Sequence, residues 1–409
     1  MDSEVFILGG AQTDFGFNWS KNGHDLYDIM GASMANAIEH IKLEPAQINV
    51  AHIGNFTGEL FSGQGHLGGL LTTLYPDFYG LPTSRHEAAC ASGSIAILAA
   101  MADIKAGNYD VAAVTGVEQM RNVSGEEAAT YLGAAAWMGK EAQSARYIWP
   151  SMFSNLTEEY HRRYGINRDH LAEISKLNFA NAKNNPLAQT RKWKLTDQHF
   201  SCDDEVNPVI EGHVRRHDCS QITDGSATLI LASERYASEY ATKHAQSLSQ
   251  IPRILGFGHR TAPMLYQSKV EASKNHDLIF PHVQETIKDA FHRAELPNVE
   301  SIDVIETHDC FSITEYMAID HFGLTAPGES WKAVEEGTIK RTGKTPINPG
   351  GGLIGIGHPV GATGVRMVLD GWKQVTDNAK DCQIDNAKTV ATLNIGGSTT
   401  TVVSFIIGR

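Results

Sequence analysis

The stretch CASGSIAILAAMADIKAG, residues 90–107, has the same design as GATGVRMVLDGWKQV, residues 361–375. Each begins with small residues and continues as a helix-like segment rich in apolar side chains. Each is then followed by a short apolar run, Val111 to Val117 in the first case and Val390 to Leu393 in the second. The similarity predicts a duplicated unit in which a helix that opens on small residues leads into a buried strand.

A second pair of segments repeats within the chain. A helix-like stretch from Leu26 to Ile41 leads into the strand-like run Ile48 to Phe56, and Val283 to Ala294 leads in the same way into Ile302 to Phe311. Apolar runs that alternate with amphipathic helices are typical of right-handed βαβ crossovers and of sheets covered on both faces. The sequence therefore predicts an α/β fold made of two related halves.

The 409 residues divide into three predicted regions. An N-terminal half comprises residues 1–120 and 222–249, because the strand-like run Ala227 to Ala232 is expected to return to the first sheet. A C-terminal half comprises residues 250–409. Residues 121–221 hold polar, irregular and helical sequence, and we interpret them as a loop domain inserted over the active site.

The charge of the chain restricts its partners. Residues 121–221 contain 13 Lys+Arg and 13 Asp+Glu, whereas the whole chain contains 34 and 47 and has a formal charge of -13. Nucleic acids and anionic membranes require a dense basic surface, so both are excluded as main partners. The neutral region 121–221 is the part best suited to receive an anionic cofactor.

Composition also indicates a cellular setting. No run of about eighteen apolar residues occurs, so a membrane-spanning helix is not expected. The amino-terminal sequence MDSEVFILGG is not a secretory pattern and the carboxyl-terminal SFIIGR is not a targeting signal, so we expect a cytoplasmic protein. Its five cysteines lack paired short spacings, so a disulfide framework is not expected.

Cys90 is the first candidate for chemistry. It follows a short polar approach and directly precedes a long apolar helix. Unpaired amides and the helix dipole at a helix amino terminus favour thiolate over thiol, so the pKa of Cys90 is expected to fall. The competing interpretation is that Cys90 is only a small buried hydrophobe.

His358 is the single imidazole in NPGGGLIGIGHPVGATG, where six glycines lie between Gly350 and Gly361. This glycine density indicates close backbone approach, and an imidazole that titrates near neutral pH can deprotonate a thiol. The alternative is a phosphate-binding loop. However, no lysine follows in P-loop spacing, and the dinucleotide-binding spacing is not matched cleanly.

His308 and Cys310 follow the strand-like run Ile302 to Thr307, at the strand end where open α/β sheets place ligands. Two residues apart on an extended chain, they point the same way and can share one pocket. The alternatives are a core cysteine or half of a metal site. The metal site lacks a second close pair to complete a tetrahedral set.

Two further groups of residues could bind a ligand. A zinc site could be formed by Cys202, His213, His217 and Cys219, but their spacings match no zinc-finger or zinc-ribbon pattern, so plain surface residues are favoured. The segment Asn394 to Ser398 follows an apolar run and predicts a tight turn able to direct an amide at a bound oxygen.

Taken together, the motifs HEAACASGS, THDCF, GHPVGATG and NIGG, in this order, resemble those of the thiolase superfamily. The HDCF box and the sequence of residues 217–231 are similar to the thiolases related to sterol carrier protein X. The resemblance covers essentially the whole chain. It implies the thiolase fold, with two duplicated βαβαβαββ halves in a five-layered αβαβα core and an inserted loop domain.

The resemblance also implies roles for individual residues. Cys90 would be the acyl-accepting nucleophile, and His358 would activate it. Cys310 of the HDCF box would be the acid/base thiol, and His308 would help His358 to stabilise the thioester enolate. In the commoner branch of the family an Asn stands in place of His308 and a Cys in place of Asn394, so this chain departs from that pattern.

Further expectations concern ligands and partners. The backbone amides of Cys90 and Gly396 would form the oxyanion hole of the acyl-enzyme. The substrate would be a coenzyme A thioester, with no permanently bound cofactor or metal. The family's loop domain covers the coenzyme A nucleotide, but residues 121–221 deviate too much to assign single contacts. A homodimer or homotetramer is implied.

Three functions remain open at this point. The first is a 3-ketoacyl-CoA or acetoacetyl-CoA thiolase that uses a covalent acyl-cysteine. The second is a related transferase or condensing subunit that acts in a complex with a small zinc-ribbon and OB-fold partner. The third is a catalytically silent acyl-CoA binding protein, which would need none of the four candidate side chains. Acyl-chain length and physiological direction stay open.

Overall fold

The computed structural model describes residues 4–409. Residues 1–3, with which the predicted N-terminal half begins, lie outside the described residues. The first half contains β1 (Val5–Gln12), α1 (Leu26–Ile41), β2 (Val50–Gly54), α2 (Gly58–Ser62), α3 (Leu67–Thr72), β3 (Thr83–His86), α4 (Ser92–Lys105) and β4 (Val111–Glu118).

The inserted region, residues 121–221, separates β4 from the last strand of the first half. Its elements are α5 (Gly125–Leu132), α6 (Ile148–Tyr164), α7 (Arg168–Ala182), β5 (Val209–Glu211) and β6 (Val214–Arg215). The chain then returns through β7 (Gly225–Ser233) and α8 (Glu234–Lys243). Because β7 pairs with both β1 and β4, the first half closes only after the inserted region.

The second half repeats this plan. Its elements are β8 (Arg253–Thr261), α9 (Tyr266–Ala272), α10 (Pro281–Arg293), β9 (Val304–Thr307), α11 (Ser312–Phe322), α12 (Ser330–Glu335), α13 (Gly352–Ile356), α14 (Thr363–Val375), β10 (Thr389–Gly396) and β11 (Thr401–Gly408).

Within residues 4–409, nine strands form one mixed sheet in the order β3-β2-β4-β7-β1-β8-β11-β10-β9. Strand β2 runs parallel to β3 and β4, and β9 runs parallel to β10. The halves join where Phe6 of β1 pairs with Arg253 of β8. The strand order on one side of this junction mirrors the order on the other. In the second half a single bridge between Ile305 and Ile347 replaces the outermost strand. The duplication predicted from the sequence is confirmed.

The apolar cores show how the layers stack. One core lies around α4 and α14, which pack against each other and against strands of both halves. A second core lies between α1 and the first half-sheet. A third contains α10 and α11 against the second half-sheet. Burial of apolar area in these three cores is the main favourable contribution to folding and produces the predicted αβαβα order.

Local sequence explains where the elements begin and end. Helix α1 begins after Asp25, whose carboxylate accepts from the amides of Tyr27 and Asp28, and ends at Lys42 in a left-handed conformation. Its predicted bounds are confirmed.

The strand predicted over 302–311 is β9 alone, because the chain leaves the sheet after Thr307 to form the site. Among residues 4–409, no helix is both long and apolar enough to cross a membrane.

Candidate active site

A largely apolar cavity of about 640 Å³ lies between the carboxyl ends of the strands and the inserted region. Cys90, Cys310, His358 and Gly397 stand on its wall. The rest of the lining is mostly apolar and comes largely from the inserted region, with Ile222 directly after it and Phe311 after β9. The lining residues of the inserted region include Leu132, Ile148, Trp149, Phe153, Ile210 and Cys219. The rings of Phe153 and Phe311 stack at 4.6 Å. An enclosure of this kind is typical of a small-molecule site.

Three of the four predicted side chains meet within one small volume. The sulfur of Cys90 and one ring nitrogen each of His308 and His358 lie within 4.8 Å of one another. The two imidazole rings stand edge to face at 5.2 Å. Cys310 lines the same cavity as Cys90 and His358. Burial and the Cys90 sulfur hold the pKa of Cys310 well above the usual value for a thiol. The chain thus brings together residues that are up to 268 positions apart.

A tight turn presents Cys90 at the start of α4. Ala89 adopts a left-handed conformation with φ of 50°. The Ser92 hydroxyl accepts from the Ala88 amide at 2.9 Å and donates to the Ala89 carbonyl at 2.6 Å. Next to it, a Cβ on Gly93 would lie 2.7 Å from the Gly361 carbonyl, so only glycine allows α4 to meet the start of α14 this closely.

The electrostatics of Cys90 correct one prediction. Burial raises its pKa to about 12, and the Gly397 amide, which favours the thiolate, offsets this only in part. The buried Glu118 carboxylate raises the pKa further. The expectation that the helix start lowers this pKa is therefore wrong for the resting protein, because desolvation of the thiolate exceeds the effect of the helix dipole.

His308 is fixed in one tautomer. The side-chain amide of Asn394 lies 3.0 Å from His308 Nδ1 and also donates to the Cys90 carbonyl at 3.1 Å, while its oxygen accepts from Ser94 at 2.7 Å. These partners orient the amide so that its NH2 group faces Nδ1, which must accept. Burial lowers the pKa of His308 well below its usual value, so the ring is neutral with its proton on Nε2.

His358 has the opposite tautomer. Its Nδ1 lies 2.7 Å from the Thr363 hydroxyl, and that hydroxyl donates to the Pro359 carbonyl at 3.2 Å. The hydroxyl therefore accepts from Nδ1–H, which leaves Nε2 with a lone pair. Burial lowers the pKa of His358 to about 3. One imidazole of the pair thus offers a hydrogen-bond donor, and the other offers a base.

The His308 tautomer disfavours metal binding at this cluster. By distance alone, Cys90, His308 and His358 could bind one metal ion through three ligands. A metal would require a lone pair on His308 Nε2, which the Asn394 contact assigns to a proton. The cluster is consequently better suited to hydrogen bonding than to coordination.

Behind the HDCF box, Asp309 fixes the backbone. Its carboxylate accepts from the amides of Leu353 at 2.5 Å and Ile354 at 3.1 Å, and from Asn178 at 3.0 Å. Burial raises the pKa of Asp309 to about 6. Asp309 therefore connects the segment containing His308 and Cys310 to the glycine-rich segment and to the inserted region.

The residues of the alternative zinc set lie apart. Cys202 is exposed, and His213 pairs with Glu158 at 2.7 Å. His217 is buried and its Nδ1 lies 3.1 Å from Asn207 Oδ1, while Cys219 stands on the cavity wall. The expectation of plain surface residues is wrong for His217 and Cys219, because His217 packs against Phe179 of α7 and Cys219 forms a backbone bridge with Phe311.

The predicted oxyanion hole differs in detail from the resting structure. Gly397, one residue after the predicted Gly396, lines the cavity together with Cys90, and its amide favours the Cys90 thiolate. Gly396 packs against the Ala88 carbonyl, which a Cβ on Gly396 would approach to 2.3 Å. The Gly396 assignment stays a prediction for the acylated protein.

Sequence reasoning missed the residues that hold the candidate site side chains in place. Thr363 and Thr223 hold His358: the Thr223 hydroxyl accepts from its backbone amide at 2.9 Å, and Thr363 contacts its ring. Asn394 had been interpreted only as part of a turn. A hydroxyl residue five positions after the histidine was the one available sequence signal for Thr363.

The chain is similar in sequence to known thiolases along nearly its whole length. A family model for the thiolase N-terminal domain matches residues 5–235, and a thiolase C-terminal domain-like model matches residues 266–409. The chain is 31% identical to an acetyl-CoA acetyltransferase of Methanothermobacter thermautotrophicus, over 99% of this chain and 100% of the other. It is 28% identical to human sterol carrier protein 2, over 96% of this chain and 70% of that protein.

A solved structure titled Ltp2-ChsH2(DUF35) aldolase shares the fold, with a TM-score of 0.75 and 17% identity, over 99% of this chain and 98% of the other. The two family models together cover most of the chain. The predicted resemblance to the thiolases related to sterol carrier protein X is confirmed. The chain belongs to the thiolase family of acyltransferases.

Proposed function

We propose that this acyltransferase makes or breaks the carbon-carbon bond of a 3-ketoacyl-CoA thioester through a covalent acyl group on Cys90. The observation that best supports this is the convergence of Cys90, His308 and His358 within 4.8 Å on the wall of a largely apolar cavity. A nucleophile, a base and a hydrogen-bond donor in mutual reach form the set that acyl transfer requires.

In the degradative direction, His358 Nε2 takes the proton of the Cys90 thiol as the sulfur attacks the ketone carbon. Because the resting thiol has a pKa of about 12, this transfer is coupled to attack and does not precede it. Backbone amides at the start of α4 and in the 396–397 turn stabilise the resulting oxyanion.

Cleavage of the carbon-carbon bond then leaves an acyl group on Cys90 and releases an acetyl-CoA enolate. Cys310 donates its proton to the enolate carbon, while His308 Nε2–H and the protonated His358 stabilise the enolate oxygen. The Cys310 thiolate next removes the proton of coenzyme A, which attacks the acyl-cysteine. Cys90 leaves as thiolate and recovers its proton from His358, so the protein returns to its starting state.

The neutral inserted region supports coenzyme A as the thioester carrier. It forms much of the cavity wall, including the exposed cation Arg216. An exposed guanidinium at the edge of an apolar cavity is suited to a phosphate outside and a pantetheine chain inside.

The test is acyl transfer to Cys90 from radiolabelled acetyl-CoA. We expect stable labelling of the protein, loss of label in Cys90→Ala, and a fall of acetoacetyl-CoA thiolysis by about 10³-fold or more in that variant. Cys202→Ala removes an exposed thiol outside the cavity and should keep both activities. Continued labelling of Cys90→Ala would refute the proposal.

A second candidate function is supported by one comparison. The Ltp2-ChsH2(DUF35) structure is titled as an aldolase formed with a second protein, and its first component has the same fold. The present chain would then act with a small zinc-ribbon and OB-fold partner. Thiolysis by the purified chain alone separates the two candidates, since the partner-dependent form should be inactive until the partner is added.

A further inference from the structure

The turn after β10, which lines the cavity together with Cys90, has an unusual backbone. Gly397 and Thr399 both adopt left-handed conformations, with φ of 61° and 63°. Glycine accepts this geometry readily, whereas a β-branched threonine does not. Thr399 is also fully buried. Contacts from outside the turn must therefore hold it in place, and through it the Gly397 amide.

A buried lysine supplies such contacts. Lys269 of α9 is only 4% exposed, and its ammonium donates to the Ser398 hydroxyl at 2.8 Å, the Thr400 hydroxyl at 3.0 Å and the Met264 carbonyl at 3.1 Å. These contacts use all three N–H donors of the side chain, and none of the acceptors is charged. Two of the three lie on the turn, on either side of Thr399.

A second contact to the turn is neutral. His282 of α10 has its Nε2 2.8 Å from the Thr399 carbonyl, to which it donates. Burial, aided by the nearby Lys269, lowers the pKa of His282 to about 4, so this ring is uncharged. Lys269 is accordingly the cation that faces the turn, and its side chain does not line the cavity.

We infer that Lys269 is a positioning residue for acyl transfer, which fixes the 397–400 turn so that the Gly397 amide keeps its place with Cys90 on the cavity wall. The ammonium does not touch the substrate. It acts by restraining a backbone that would otherwise relax and withdraw a hydrogen-bond donor from the reacting sulfur. This inference rests on the proposed role of Cys90.

The first test is Lys269→Met, which keeps the length of the side chain and removes its donors. We expect kcat for thiolysis to fall about tenfold while KM stays within about twofold, because the lost donor acts on the sulfur and not on substrate affinity. Alkylation of Cys90 by iodoacetamide at pH 7, where Lys269 is mostly protonated because burial lowers its pKa only to about 8, should slow by about threefold, since the Cys90 thiolate loses stabilisation. The thermal midpoint should be unchanged or higher, because a buried cation has been removed.

Two controls make the result specific. Lys274→Met removes an exposed lysine that pairs with Glu271 and does not contact the turn, and it should match the wild type in every measurement. The double variant Ser398→Ala, Thr400→Val removes the acceptors instead. It should slow thiolysis and alkylation in the same way, and combining it with Lys269→Met should add little.

A folded Lys269→Met with wild-type kcat and alkylation rate would overturn the inference. If that variant does not fold, the acceptor-side double variant decides, and wild-type rates there overturn it equally. Absence of acyl labelling on wild-type Cys90 would instead reject the proposed function, while the alkylation measurement would still report on the turn.

Discussion

Each half of the molecule has a buried polar pair at the carboxyl ends of two neighbouring parallel strands, and the two pairs differ in their hydrogen bonds. In the first half, Asn55 follows β2 and donates at 2.9 Å to Glu118, which ends β4. In the second half, His308 follows β9 and contacts Asn394 of β10 at 3.0 Å. Both pairs join neighbouring parallel strands at their carboxyl ends.

The pairs differ in how fully their hydrogen bonds are satisfied. Glu118 also accepts from the backbone amides of Phe56, Thr57 and Gly361, so all of its capacity is used inside the protein. His308 has one nitrogen satisfied by Asn394 and the other turned toward Cys90 and His358. The first pair stabilises the fold, whereas the second keeps a donor free for a ligand.

The largest expected effect concerns His308. His308→Ala should lower kcat by about 10²–10³-fold, as expected for loss of one donor to a developing oxyanion. The free energy of unfolding should fall by about 1–3 kcal/mol as well, because the buried ring and its contact with Asn394 are lost, so kcat is the quantity that separates the two pairs. Steady-state thiolysis and thermal denaturation measure the two quantities. A large loss of stability with little loss of kcat would make the two pairs alike and break the comparison.

Asn55→Ala should lower stability without a comparable loss of kcat. The substitution removes one donor from the Val117 carbonyl and from Glu118 and leaves the Gly58 amide without its acceptor, so the free energy of unfolding should fall by about 1–3 kcal/mol. The kcat of the folded protein should stay within about threefold of wild type, since the Asn55 side chain does not line the cavity. Urea denaturation, followed by activity assays in native buffer, tests both statements.

A smaller effect is expected for Asn394→Ala. This variant removes the contact that assigns the His308 proton to Nε2, so only part of the ring population keeps the productive tautomer. We expect kcat to fall about tenfold, which is less than in His308→Ala. NMR of ring nitrogens labelled with ¹⁵N distinguishes the tautomers, and an unchanged Nε2–H population would contradict this explanation.

The smallest effect connects the two halves. Glu118 raises the pKa of Cys90, so Glu118→Gln should lower that pKa and speed alkylation of Cys90 by about twofold at pH 9. Because the thiol pKa is about 12, the wild-type rate should rise with pH and reach no plateau below pH 10. A plateau near pH 7 would indicate a resting thiolate and imidazolium pair instead.

The sequence predicted the elements that follow from periodicity. Helix α1, the α4 and α14 duplication and the return of β7 to the first sheet were all visible as apolar patterns. The strand ends were less accurate, because a polar segment that enters a site looks like the continuation of a strand. The prediction over 302–311 included His308 and Cys310, which leave the sheet after Thr307.

The sequence also identified the residues that converge, through four ordered motifs. It could not give the direction of the Cys90 pKa shift, since that depends on burial by segments distant in sequence. Nor could it find Thr223, Asn394 or Lys269 as supporting residues. Their roles come from contacts across the fold, such as the 2.8 Å between Lys269 Nζ and Ser398, and a single polar residue has no periodicity.

Because β7 lies more than 200 residues after β1, strand β1 is synthesised long before the strand with which it pairs. Strand β1 leaves the ribosome first, yet its partners β7 and β8 follow only after the whole inserted region has been translated. Until then its apolar edge has no native neighbour and is open to non-native pairing. A nascent chain stalled before residue 225 should thus bind holdase chaperones, whereas one that has passed residue 261 can bury that strand.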